Sequence, residues 1–215
     1  MCVFPTPLND ILRVVKCLTR IPRILTESVN KLAIEIIRYL NHVFPAIDGI
    51  DYHARNQRTD TFEASCNDLG VATNFQDIMN LEGYDTIIMV TNTSECLINT
   101  ININSVKNGA VIASLCTTSQ TGEITGEVYG RQDVNVLFDY DLTRTFTPDM
   151  RAADKVGYLQ KVILLNDILN GEIPSNMVEK KNMLLTDKID IDYLEILYRQ
   201  KFMVGKSNER IYKSN

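Results

Sequence analysis

With 215 residues and 45% hydrophobic content, the chain is long enough to bury a full core as one domain of ordinary size. Its 27 acidic and 22 basic residues give a net charge of −5 with no basic stripe, which argues against nucleic acid as a partner. No run approaches the roughly 18 apolar residues of a membrane span, and the five cysteines fall in no CxxC pair, against a zinc site and for reduced thiols.

The amino terminus, Met1-Cys2-Val3-Phe4-Pro5, lacks the basic start and long apolar stretch of a secretory signal, so the cytoplasm is the expected location. Thr6-Pro7 is a helix-start pair, and Leu8, Ile11, Leu12, Val15 and Leu18 follow at helical spacing until Pro22. After Arg23-Ile24-Leu25, the residues Leu32, Ala33, Ile36, Ile37, Leu40 and Val43 form an apolar stripe suited to packing on a sheet. Gly49 to Ala54 reads as a strand, and Thr59 to Leu69 as a helix stopped by Gly70. Val71-Ala72-Thr73 reads as a brief strand and Asn74 to Leu81 as a short helix.

The run Asp85-Thr86-Ile87-Ile88-Met89-Val90 suits a strand buried on both faces, and it ends in Thr91-Asn92-Thr93-Ser94. Open α/β sheets place ligand contacts at that end of a strand. Gly109 to Leu115 and Val134 to Asp139 are two more buried-strand candidates, making five or six strands. Beyond Thr147 the pattern turns helical, over Lys155 to Leu169 and Ile191 to Phe202, before a polar tail. Strands alternating with helices predict an α/β fold with a mostly parallel sheet.

Read in order, the strand and helix from Ile50 to Leu69, the run Asp85 to Thr93, Val106-Lys107-Asn108-Gly109-Ala110-Val111-Ile112, Asp133 to Asp139 and Leu165 to Pro174 resemble the ornithine cyclodeaminase and mu-crystallin family. The resemblance covers roughly residues 24–200 and is carried by order and spacing. It implies a Rossmann-like doubly wound sheet with helices on both faces, NAD or NADP as cofactor, and chemistry at a carbon bearing an amino or imino group. The expected organisation is an amino-terminal helix over 1–23, a dinucleotide-binding-type domain over 24–146, a helical segment over 147–204 and a tail over 205–215. In the family a longer amino-terminal region grips the substrate and makes the dimer, so residues 1–23 would be its remnant and a partner chain would supply the substrate site.

The chain departs from the family at the phosphate turn, where a GxGxxG or GxGxxA sequence lets the backbone approach a pyrophosphate. Here it reads Thr26-Glu27-Ser28-Val29-Asn30-Lys31, and Glu27 adds a like charge that costs roughly 1 kcal/mol at about 4 Å in water and severalfold more without it. A second departure follows Leu115, where Thr117 stands at the position of the family's acid/base aspartate while Glu123-Ile124 keeps the trailing Glu-Leu pair. Threonine takes up no proton near neutral pH. Further on, Ser175-Asn176 replaces a Gly-Arg pair, and the glycine-containing turn near Thr186 to Asp192 is missing.

The resulting candidate cofactor contacts are Thr26, Ser28, Arg55, Asn56, Thr91, Asn92 and Thr93, with Arg58 a further one. Arg55-Asn56 follows a strand where dinucleotide folds meet the adenosine ribose, and is equally well an exposed charged loop. Thr91, Asn92 and Thr93 otherwise cap the next segment. His42 and His53 show no paired carboxylate in sequence and read as structural, Cys116 as a buried thiol, Asp139-Tyr140-Asp141 as turn caps, and Glu179-Lys180-Lys181 as a solvated face. No metal site is expected. Two functions follow: an NAD(P)-dependent enzyme or half-enzyme transferring hydride on amino or imino acids, and a binding or assembly subunit that has lost dinucleotide chemistry.

Overall fold

The computed structural model describes residues 23–43, 47, 49–54, 59–91, 95–114, 122–138, 148–155, 157, 162–164 and 176–185. Eight strands form one all-parallel sheet: β1 (Ile24–Thr26), β2 (Gly49–Tyr52), β3 (Ala72–Phe75), β4 (Thr86–Met89), β5 (Val111–Ser114), β6 (Val134–Phe138), β7 (Val162–Leu164) and β8 (Lys181–Leu185). Their order across the sheet is β3-β2-β1-β4-β5-β8-β6-β7. The helices are α1 (Lys31–Val43), α2 (Asp60–Asp68) and α3 (Pro148–Lys155). This is a doubly wound α/β fold.

The pleat sorts each strand's residues between two cores, because successive side chains point to opposite faces. Ile24, Ile50, Tyr52, Ile88, Val90, Val111, Ala113 and Leu137 face the core under α1 and α2, with Ile36, Ile37, Leu40, Phe62 and Cys66 from those helices. Leu25, Ile87, Met89, Ile112 and Val136 face the other core, against Tyr84, Ile103, Val128, Tyr129 and Ala153 of α3. The central strands are buried on both sides, so their apolar runs read without alternation. Each fully buried Ile or Leu contributes on the order of 1.5–3 kcal/mol.

The alternation expected up to β6 is present, with α2 ending at Gly70, whose φ of 72° is open to glycine at little cost. Three expectations are corrected. Asn74 to Leu81 is not helical: Asn74 and Phe75 complete β3, where Asn74 donates to Asp51 Oδ1 at 2.8 Å, and Gln76 N donates to the Tyr52 carbonyl at 2.8 Å. The helix expected over Lys155 to Leu169 is instead the end of α3 followed by β7, so the sheet gains a strand.

The third correction concerns Lys181, which is not on a solvated face. It is 5% exposed and opens β8, which inserts between β5 and β6. Asn182 secures that insertion, donating to the Met177 carbonyl at 2.9 Å and accepting from Asn135 at 3.1 Å, while its main-chain N–H bonds Ala110 O at 2.9 Å. The expected helices at residues 8–18 and 191–202 lie outside the described residues, as do Cys116 and Asp139-Tyr140-Asp141.

Candidate functional site at the carboxyl edge of the sheet

From β1 the chain steps outward to β2 and β3, then returns to place β4 on the other side of β1. The reversal makes a crevice at the carboxyl ends of β1 and β4, where doubly wound sheets bind ligands. Thr26, Glu27 and Ser28 end one lip; Val90 and Thr91 end the other.

Two buried carboxylates lie along this edge. Glu27 is 3% exposed, and both its oxygens lie 2.7 Å from Nδ1 of His53, the residue that follows β2. The backbone fixes both partners: Glu27 N donates to Ile88 O at 2.8 Å and His53 N to Thr26 O at 3.0 Å, so both extend the parallel ladder by one residue. Glu123 is fully buried and accepts three bonds at the ends of β4 and β5: Thr91 N at 2.7 Å, Thr91 Oγ1 at 2.6 Å and Ser114 Oγ at 2.8 Å. Bonds to an ionised acceptor are about twice as strong as neutral ones, which is how a fully buried carboxylate is tolerated.

The amino side of the sheet carries cations. Arg131 and Lys181 both bind Asp133, at 2.8 Å each, and hold its carboxyl well below the usual range: the Arg131 hydrogen bond is the largest cause and outweighs the opposing effect of burial. Lys107 pairs with Asp85 at 2.6 Å. Burial would raise the Asp51 carboxyl, yet bonds from Tyr84 at 2.6 Å, Asn74 at 2.8 Å and Arg23 at 3.1 Å together hold it below its ordinary value. Burial, then the bond to Asp51, pushes the Tyr84 hydroxyl up to about 12.

A pyrophosphate in this fold rests on a glycine turn at the start of the first helix, using its free N–H groups. Here Glu27 to Lys31 contains no glycine and the turn bonds to itself. Thr26 Oγ1 donates to Ser28 O at 3.1 Å, Asn30 N to Ser28 Oγ at 3.3 Å, and Ala33 N to Asn30 Oδ1 at 2.9 Å. The Asn30 side-chain amide also donates to the Val90 carbonyl at 2.8 Å, tying the start of α1 to the end of β4. With a carboxylate at the turn, three donors committed and a bridge between the lips, these residues do not fit a pyrophosphate.

Of the residues expected at a cofactor, Thr26, Ser28 and Thr91 do gather at this crevice, and the bonds above engage all three hydroxyls. Arg55, Asn56, Arg58, Asn92, Thr93 and Thr117 lie outside the described residues. The sequence reading treated Glu27 only as a repulsive charge, and missed its pairing with His53, the bridging by Asn30 and the anchoring by Glu123. The available signal was an acidic residue next to a buried strand end at Glu27, directly after β1. Among the described residues no cluster of His, Cys, Asp and Glu is able to hold a metal, and no described helix is long and apolar enough to cross a membrane. Burial pushes the Cys66 thiol up to about 11, as befits an inert core cysteine.

A doubly wound sheet with its crevice at the β1/β4 reversal defines the class: a dinucleotide-type α/β domain. Within that class the fold is that of the ornithine cyclodeaminase and mu-crystallin type. A probable ornithine cyclodeaminase from Bordetella pertussis Tohama I superposes with a TM-score of 0.65 at 17% identity, over 85% of this chain and 60% of that one. An iminosuccinate reductase of Paracoccus denitrificans, solved with NAD+, gives 0.62 at 15% identity, over 82% and 57%. The Thermococcus litoralis Δ1-pyrroline-2-carboxylate reductase, solved with NADH and L-proline, gives 0.64 at 14% identity, over 83% and 58%. The chain therefore spans about three fifths of the length of these relatives. No protein-family model and no curated protein sequence matches it.

Proposed function

We propose that this chain serves as a ligand-binding or assembly subunit built on the cyclodeaminase-type fold, without dinucleotide redox chemistry of its own. The observation that carries this reading is the Asn30–Val90 bridge above a glycine-free turn, which joins the two lips of the crevice where a pyrophosphate would lie. A homo-oligomer, or a complex with a chain that supplies a substrate site, is the form in which such a subunit acts. The test is to rebuild the turn. A variant with Thr26→Gly, Ser28→Gly and Asn30→Ala binds NADH measurably by fluorescence titration where the unaltered chain does not. Equal binding by both chains contradicts the reading.

A second reading has its own support: an NAD(P)-dependent oxidoreductase acting on amino or imino acids by hydride transfer. It rests on the fold shared with two enzymes solved with NAD+ or NADH, and on Thr91 standing at the crevice. NAD(P)-dependent turnover by the purified chain, alone or with a partner, favours it.

A further inference from the structure

β3 is one edge of the sheet, and among the described residues it pairs only with β2. Asn74 stands opposite Asp51, and Gln76 N donates to the Tyr52 carbonyl. Alternate residues therefore bond inward, and the N–H and C=O groups of Thr73 and Phe75 point away from the sheet. Natural proteins blunt such edges with lysine, proline or a bulge. Ala72-Thr73-Asn74-Phe75 carries none of these and leads into exposed apolar side chains: Phe75, 45% exposed with its ring 5.5 Å from that of Tyr52, and Ile78, 79% exposed. Charge here is one-sided as well, since residues 59–106 hold seven acidic residues and no lysine, arginine or histidine. Asp60, Glu63 and Asp68 of α2, which packs against β3, and Asp77 just past the strand are all exposed and form no ion pair among the described residues.

The complementary charge is in this same chain. Residues 199–215 carry Arg199, Lys201, Lys206, Arg210 and Lys213 against Glu209 alone, and Arg210-Ile211-Tyr212-Lys213 sets two strand-forming residues between two cations. This segment lies outside the described residues. β8 runs parallel to β3, so the chain leaves Leu185 at the same carboxyl edge where Phe75 ends β3, five strand positions away, or about 24 Å at roughly 4.8 Å per strand. Residues 186–209 cover that distance even with 191–202 helical, at about 1.5 Å per helical residue and about 3.3 Å per extended one. We propose that Arg210 to Lys213 docks on its own chain as a ninth strand along the outer edge of β3. Its main chain takes up the outward groups of Thr73 and Phe75, an apolar side chain covers Phe75, and the flanking cations meet the acids from Asp60 to Glu82. The tether holds the segment at a high effective concentration, which favours it over a free peptide. The opposite edge, β7, is the poorer match, because residues 148–164 carry Arg151, Lys155 and Lys161 against Asp149 and Asp154.

Cross-linking of the full chain with a water-soluble carbodiimide, which joins a lysine amine to a carboxyl in direct contact, tests the docking. Lys206 or Lys213 is expected to link to an acid between Asp60 and Glu82, mapped by peptide mass spectrometry. In an equal mixture of 14N-labelled and 15N-labelled chains, each linked pair of peptides then carries a single label. Hydrogen exchange supplies a second readout: the amides of Thr73 and Phe75 exchange about tenfold more slowly in the unaltered chain than in a variant with Arg210→Glu and Lys213→Glu, the scale of one hydrogen bond. Adding Asp60→Lys and Asp77→Lys to that variant restores the slow exchange. The absence of links, links to acids elsewhere in the chain, links that join a 14N chain to a 15N chain, or exchange at Thr73 and Phe75 unchanged by the tail substitutions overturns the proposal. The cross-links use the unaltered chain and decide the matter even if the fourfold variant fails to fold.

Discussion

Asn30 uses both ends of its side-chain amide: the oxygen accepts from Ala33 N at 2.9 Å as the amino-terminal cap of α1, and the nitrogen donates to the Val90 carbonyl at 2.8 Å beyond β4. One residue thus caps the helix and bridges the crevice. Asn30→Ala loses both bonds and lowers stability by about 1–2 kcal/mol, with the cap as the larger part, measured by urea unfolding. Asn30→Asp keeps the cap and loses the bridge, and falls between the two.

Glu123 is the keystone of the other lip. Glu123→Ala removes the acceptor shared by Thr91 N, Thr91 Oγ1 and Ser114 Oγ and costs about 2–4 kcal/mol. Hydrogen exchange reads the location of the damage: faster exchange at Thr91 than at β1 and β2 is expected, and uniform acceleration across the sheet argues against a local role.

Much of the fold was legible because buried parallel strands announce themselves as short β-branched runs, as in Thr86 to Met89 and Val111 to Ser114. What escaped was set by polar contacts distant in sequence. Lys181 and Asn182 look like surface residues, yet Asp133, Asn135 and Ala110 receive them at the centre of the sheet. Asn74 looks like a helix or turn residue until Asp51, 23 positions earlier, takes its amide. The site was legible in position but not in content: a strand end with polar residues marks a crevice, whereas the pairing of Glu27 with His53 exists only once β1 and β2 lie side by side.

The pairs on the amino side predict the response to pH. Asp133 titrates below its ordinary 3.8 in the folded chain, so the stability it contributes is complete above that value and is lost as the pH falls further, through the folded value. Asp133→Asn is expected to flatten the acid limb of urea midpoints measured below about pH 4.

Tyr84 acts at the opposite end of the scale. Its hydroxyl is raised from 10.0 to about 12 in the folded chain, so its contribution is complete below pH 10 and is lost as the pH rises toward 12. Tyr84→Phe removes that alkaline limb and costs about 1 kcal/mol at neutral pH through the lost bond to Asp51. An unchanged alkaline limb contradicts the assignment.

Thr86 Oγ1 is buried at the start of β4 and finds no hydrogen-bond partner among the described residues. Thr86→Val keeps the shape and removes the unsatisfied hydroxyl, so a gain of about 1 kcal/mol is expected. A loss on thermal or urea unfolding argues that the hydroxyl has a partner after all.

Titration of the unaltered chain with NAD+, NADH, NADP+ and NADPH, followed by thermal shift and calorimetry, tests the bridged, glycine-free turn most directly. The account predicts no saturable heat and no rise in melting temperature at millimolar dinucleotide. Saturable binding, with the stabilisation of about 2.7 kcal/mol expected at a hundred times the Kd, contradicts it.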